Sequence, residues 1–262
     1  MTININFIFT LGYRCYATDF LNTHNLRKMS GPFDYLIIDF ETAIKIISNK
    51  FSDFTSDIIY SNKNKNQISL FYKKNTTYIN DKIIELLKKD IVYMNHCYNH
   101  MDLFINQNYL DINKINNNLY YWDNICLFMH HNLLDKNNYD KINMRCERFN
   151  NIINKYESST ALFYITKIVN YNNNIFDYIN NIIKIKELYN INSYIIMIIN
   201  CDNVEQSHYF YNKEKCLFII RNVENYETQK IKYEVDNSST YHDELKIIFN
   251  YFTFNLIEKN DI

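Results

Sequence analysis

The stretch Ile3-Asn4-Ile5-Asn6-Phe7-Ile8-Phe9-Thr10-Leu11-Gly12-Tyr13-Arg14-Cys15-Tyr16-Ala17-Thr18-Asp19-Phe20-Leu21 changes its apolar period in the middle. Up to Thr10 it is apolar, β-branched and aromatic, as a buried strand is. Beyond Cys15 the residues Tyr16, Ala17, Phe20, Leu21 and His24 recur at helical spacing. Strand, glycine turn and helix in that order predict the opening β–α unit of an α/β domain. Gly12 and Gly31 are the only glycines, and Pro32 the only proline, in 262 residues. A chain that turns elsewhere with Asn, Asp and Ser has kept its special backbone residues for two loops, one of which carries a cysteine. Those loops are where chemistry is expected.

Working outward, Pro32 cannot continue a helix and biases Gly31 toward extended geometry, so Gly31-Pro32-Phe33-Asp34-Tyr35 reads as a defined loop. Asp39 then caps a helix with Phe40, Ala43, Ile44 and Ile47 on one face. Between 52 and 124 the apolar residues are broken by Asn and Lys, with helical hints only at 81–89 and 91–104; an irregular helical insertion is expected there. From Ile125 the pattern sharpens. Strands are predicted at 125–129, 160–169, 193–200 and 216–220, and helices on Ile142, Cys146, Phe149, Ile153 and Tyr156, on Ile175, Ile179, Ile182, Ile183 and Lys186, and over 242–257. Strands apolar on both faces and alternating with helices predict one α/β domain over 1–262, with a central, mostly parallel sheet of about five strands including 3–10. Ligands of such sheets bind beyond the carboxyl ends of the strands. That rim would gather Gly12 to Cys15, His130 and His131, Asn170, Cys201 and Asp202, and Arg221.

Composition narrows the function classes. A 47% hydrophobic chain can fill a core, while 22% charged residues and a net charge of −1 describe a soluble protein with no basic balance for nucleic acid. Its 24 Tyr and 18 Phe therefore read as core rather than as a base-stacking platform. Met1 to Thr10 lacks the basic region of a signal peptide and no apolar run is long enough to span a bilayer, so no membrane partner is expected. The expected location is intracellular and cytoplasmic, in the host cytoplasm if the source is a virus. Six scattered cysteines without a Cys-x-x-Cys pair fit reduced thiols better than disulfides or a zinc ribbon. The sequon Asn75-Thr76-Thr77 would then go unused. His96, Cys97 and His100 have metal-like spacing but lack the glutamate of a metalloprotease helix, and read as core or solvated residues. Neither a metal nor a cofactor is expected, and Gly12 lacks the further glycines of a dinucleotide loop.

Cys15 is the first candidate for chemistry. At a helix start after a glycine turn, the helix dipole and unpaired N–H groups lower a thiol's pKa. A nearby imidazole would complete the activation. His130 and His131 are adjacent, so their side chains diverge and one can face a site that the other does not. The bland reading makes Cys15 a small buried residue and the histidines loop residues. Asp34 could orient the imidazole, cap the second helix, or pair with Arg145 or Arg148; Asp202 is another possible orienting group. Arg145 and Arg148 share a helix face and could instead hold an anionic ligand group, with Arg221 as a further contact.

Leu11-Gly12-Tyr13-Arg14-Cys15, Gly31-Pro32-Phe33-Asp34-Tyr35, Phe128-Met129-His130-His131 and Arg145 to Arg148-Phe149 resemble, in this order, the markers of a papain-like cysteine peptidase family of bacteria, protists and large DNA viruses. The resemblance covers roughly residues 5–170, with Tyr35 where the family has tryptophan. It implies a Cys–His site with Cys15 as nucleophile and His130 or His131 as base, and it supplies no substrate; the hydrolase reading expects a peptide or other amide or thioester substrate, and Gly12 and Arg14 join Arg145 and Arg148 as candidate ligand-binding residues. Papain's own fold is α+β and its Cys-Gly-Ser-Cys-Trp signature is absent here, so α+β stands as the alternative to α/β. The other function class is a non-peptidase module that binds a small anionic ligand, such as a nucleotide-sugar or glycan precursor, on the sheet rim.

Overall fold

The computed structural model describes residues 2–12, 15–62, 64, 66–74, 78–88, 102–111, 126–128, 130–170, 175–202, 204, 208–222 and 242–258. In chain order the first half contains β1 (Ile3–Ile5), β2 (Phe7–Thr10), α1 (Tyr16–Thr23), β3 (Leu36–Ile38), α2 (Phe40–Ser48), β4 (Ile58–Ser61), β5 (Ile68–Phe71), α3 (Asp81–Lys88), β6 (Leu103–Asn106) and β7 (Cys126–Phe128). The second half contains α4 (Lys136–Tyr156), β8 (Thr160–Asn170), α5 (Ile175–Leu188), β9 (Tyr194–Asp202), β10 (His208–Asn212), β11 (Cys216–Asn222), α6 (His242–Tyr251) and β12 (Phe252–Phe254).

The fold is mixed α/β with more than one sheet. In the first five-stranded sheet, ordered β10-β11-β9-β8-β2, every pairing is parallel except the β10–β11 hairpin. Its strands alternate strictly between two cores. Phe7, Phe9, Leu162, Tyr164, Ile195, Met197, Cys216 and Phe218 face one side, where α4 and α5 pack. Ile8, Ala161, Phe163, Ile196, Ile198, Leu217 and Ile219 face the other, where Ala17, Phe20 and Leu21 of α1 and Ile248 of α6 cover them. Burial on both faces is what makes these strands read as unbroken apolar runs.

The second five-stranded sheet, ordered β3-β7-β6-β4-β5, is antiparallel throughout. The run at 125–129 was expected in the parallel sheet and belongs here instead: a short apolar run signals a buried strand without signalling its neighbours. The insertion expected to be helical over 52–124 supplies β4, β5 and β6 to the same sheet; α3 is the one α-helix among its described residues, and the helical hint at 91–104 lies outside them up to residue 101 and meets β6 from Leu103. Four-residue strands bounded by Asn and Lys give too few alternations to register as strands. The run 3–10 is two strands rather than one, because β2 pairs with β8 while β1 pairs in parallel with β12. For the same reason the helix expected over 242–257 stops at Tyr251 and continues as β12.

One aromatic cluster spans both sheets. Phe149 of α4 meets Phe9 of β2 at 4.9 Å between ring centroids and Phe51 at 5.4 Å, and Phe51 and Phe128 of β7 both pack on Phe54. Phe33 joins the same cluster, so the Gly31–Tyr35 loop is anchored by its own core residue. Among the described residues no helix is long and apolar enough to cross a membrane.

Candidate active site

Leu11 prolongs the β2 exit, its N–H donating to the Phe163 carbonyl at 2.9 Å. The chain then turns at Gly12 with φ +92°, and a Cβ there would collide with Cγ2 of Ile38 in β3. Glycine is thus required twice, by conformation and by space. Cys15 follows as the N-cap of α1, and its side chain makes no capping hydrogen bond. The thiol is half-buried. Its Sγ lies 3.2 Å from Nε2 of His130.

His130 and His131 are placed by the second sheet. The antiparallel register pairs Leu36 with Phe128, so the residues entering β3 lie beside the residues leaving β7. The loop before β3 meets each histidine separately. The Tyr35 ring contacts exposed His130 edge-on at 5.7 Å, while the Asp34 carbonyl accepts a hydrogen bond from His131 Nε2–H at 3.1 Å. Tyr35 achieves this with φ 61°, a left-handed backbone that is unusual for an aromatic residue. Its hydroxyl accepts from Asn22 Nδ2 of α1 at 3.2 Å. Burial pushes the His131 pKa below its ordinary value, and neighbouring Arg145 acts in the same direction against the Asp34 carbonyl. His131 is therefore a neutral loop anchor, and His130 is the histidine at the sulfur.

The Asp34 carboxylate is buried, 1% exposed, and its acceptor sites are filled. Oδ1 takes the Thr10 hydroxyl at 2.9 Å; Oδ2 takes Arg27 Nε at 3.0 Å, Arg27 Nη2 at 2.6 Å and the Gly31 N–H at 2.9 Å. Its ion-pair partner is therefore Arg27, not Arg145 or Arg148. Nor does it cap α2: Asp39 does, accepting from the Thr42 N–H at 2.9 Å. The Asp34 side chain makes no hydrogen bond to His130; the residue reaches His131 through its carbonyl and through its charge, both of which raise the His131 pKa against burial. Arg148 Nη2 donates to the Ser30 carbonyl, fastening α4 to the loop. Among the described residues Arg145 Nη1 and Arg148 Nε are buried without an acceptor, and burial lowers both arginines' pKa.

Asp202 ends β9 in register with Asn170, and its side chain lies outside the described residues, as do Arg14, His96, Cys97 and His100. Arg221 pairs with Glu244 of α6 at 3.2 Å. Because β7 lies in the other sheet, the carboxyl end that carries His130 is not part of the parallel sheet's rim; the Cys15–His130 contact joins the two sheets.

Sequence reasoning missed Arg27, Asn22 and Asp19. Asp19 is half-buried on α1, where burial raises its pKa and the charges of His130 and Arg27 pull it back down. The available signal was spacing: Cys15, Asp19 and Asn22 stand at i, i+4 and i+7 on one helix face.

A family model described as "Putative papain-like cysteine peptidase" matches residues 6–204. No curated protein and no solved structure matches the chain.

Proposed function

Because the chain belongs to that family, we propose that it is a cysteine-dependent hydrolase of an amide, isopeptide or thioester bond, with Cys15 as nucleophile and His130 as general base. The observation that carries this reading is the 3.2 Å approach of Cys15 Sγ to His130 Nε2 at a helix start. His130 Nε2 takes the thiol proton, and the thiolate adds to the acyl carbonyl carbon. A C–S bond forms while the bond to the leaving group breaks, and the leaving group takes the proton back from the imidazolium. Water then gives a proton to Nε2 and adds to the thioester; the C–S bond breaks, the acid departs, and the sulfur recovers the proton. The start of α1 favours the thiolate in this cycle, and the Tyr35 ring backs the imidazole.

A second reading, a module that holds a small anionic ligand, draws on the buried N–H groups of Arg145 and Arg148 that lack acceptors. It is the weaker one, since Arg148 already fastens Ser30 and Arg221 already pairs with Glu244.

Iodoacetamide labelling with peptide mapping separates the readings. Cys126, Cys146 and Cys216 are buried, and burial pushes their thiols up, that of Cys216 to about 12. Cys15 should label first at neutral pH, and His130→Ala should slow that labelling by roughly tenfold or more, since it removes the base beside the sulfur. Labelling of Cys15 no faster than that of the buried thiols would end the hydrolase reading.

A further inference from the structure

We infer that Tyr35 is the positioning residue of the Cys15–His130 pair: a closed circuit of side chains through Asp34, Arg27 and Asn22 fixes its ring, and the ring fixes the imidazole against the sulfur. This rests on the reading of Cys15 and His130 as the reacting pair. Three observations support it.

The first is how little else holds His130. The residue is exposed, and an exposed imidazole has several rotamers open to it. Among the described residues its ring makes one hydrogen-bond contact, with Cys15 Sγ at 3.2 Å, and one ring contact, with Tyr35 at 5.7 Å between centroids and 71° between planes. The Tyr35 ring is therefore what aims Nε2 at the sulfur.

The second is the circuit that holds the ring. Arg27 donates from Nε and Nη2 to Asp34 Oδ2 and from Nη1 to Asn22 Oδ1 at 3.3 Å, and Asn22 Nδ2 donates to the Tyr35 hydroxyl at 3.2 Å. The peptide bond between Asp34 and Tyr35 closes it. Arginine can only donate, so Asn22 must turn its oxygen to Arg27 and its N–H to Tyr35. Asn22 belongs to α1, the helix that Cys15 begins, and Asp34 is tied to β2 through Thr10. The ring is thus fixed in the frame of the nucleophile, while His130 arrives behind β7 from the other sheet.

The third is the backbone. Tyr35 has φ 61°, which a bulky residue keeps only where its surroundings over-determine it. This turn lets the chain enter β3 at Leu36, the register partner of Phe128, while the Tyr35 ring stays on His130.

The test follows iodoacetamide labelling of Cys15 by peptide mapping in the full chain, with and without His130→Ala, each variant being checked for folding by thermal unfolding. Tyr35→Gly keeps the left-handed backbone, which glycine adopts freely, and removes the ring. It should slow the labelling by roughly 2–10-fold, the scale of one aromatic pair. Tyr35→Phe keeps the ring and should recover most of the rate, and Asn22→Ala, at an exposed position, should reproduce part of the loss. In the His130→Ala chain none of the three should slow it further, because a residue that acts through His130 then has nothing to position. A merely structural role would slow labelling alike in both backgrounds. That result, or an unchanged rate in folded Tyr35→Gly with His130 present, overturns the proposal. Cys15 of the unaltered chain labelling no faster than the buried thiols overturns the hydrolase reading instead.

Discussion

His131 sits two bonds of sequence logic from the chemistry, yet it sets a measurable property of the fold. Its pKa is lowered in the folded protein by burial, so the unfolded chain takes up a proton there first as pH falls. Stability is complete above the ordinary histidine value of about 6.5 and declines as pH drops from there through the lower folded value, with a slope of at most about 1.4 kcal/mol per pH unit from this group. Urea unfolding at pH 7.5 and 5.5 should show the decline, and His131→Gln, whose amide nitrogen reaches the position of Nε2 and can still donate to the Asp34 carbonyl, should flatten it. An equal decline in that variant would remove His131 as the cause. At this scale the sequence was partly legible. Cys15 and the histidine pair stood out because their residue types are chemically specific and sit beside rare backbone residues. Arg27 did not: a charge in the loop after a short helix looks solvated until a partner such as Asp34, brought by another loop, covers it.

Among the elements, the crossing of β2 past β3 controls the site. Gly12 has a left-handed backbone and no room for a Cβ against Ile38. Gly12→Ala should therefore cost roughly 2–4 kcal/mol, combining conformational strain with overpacking. It should also slow Cys15 labelling, because relief of the clash displaces the turn that leads to α1; full stability in thermal unfolding would show that the β2 exit tolerates a side chain. The long helices and the runs at 160–169, 193–200 and 216–220 were legible because each repeats its period many times. β7 was legible as a strand, but three residues cannot say whether their neighbours run parallel or antiparallel. β4, β5 and β6 escaped because each spans only four residues, and the half-buried pattern of β5 at the sheet edge carries little apolar signal.

Over the whole molecule, Phe149 is one of the side chains that join the two sheets in one core. Its ring touches Phe9 of the parallel sheet and reaches the antiparallel one through Phe51 and Phe54. Phe149→Ala should lower stability by about 3–5 kcal/mol. The loss should appear in one transition, with far-ultraviolet and near-ultraviolet circular dichroism changing together; two separated transitions would mean that the sheets hold independently. The pairing of β1 with β12 has a different kind of consequence, since Asn4 and Thr253 are register partners. At about 5–20 residues per second, a ribosome makes the second roughly 12–50 seconds after the first. During that interval Ile3 and Ile5 have no strand to pair with, and Phe252 is not yet there to join Ile5 in their shared core. The nascent chain thus carries β1 without its β12 partner for that whole interval, so this pairing closes only after the residues of both five-stranded sheets have been made.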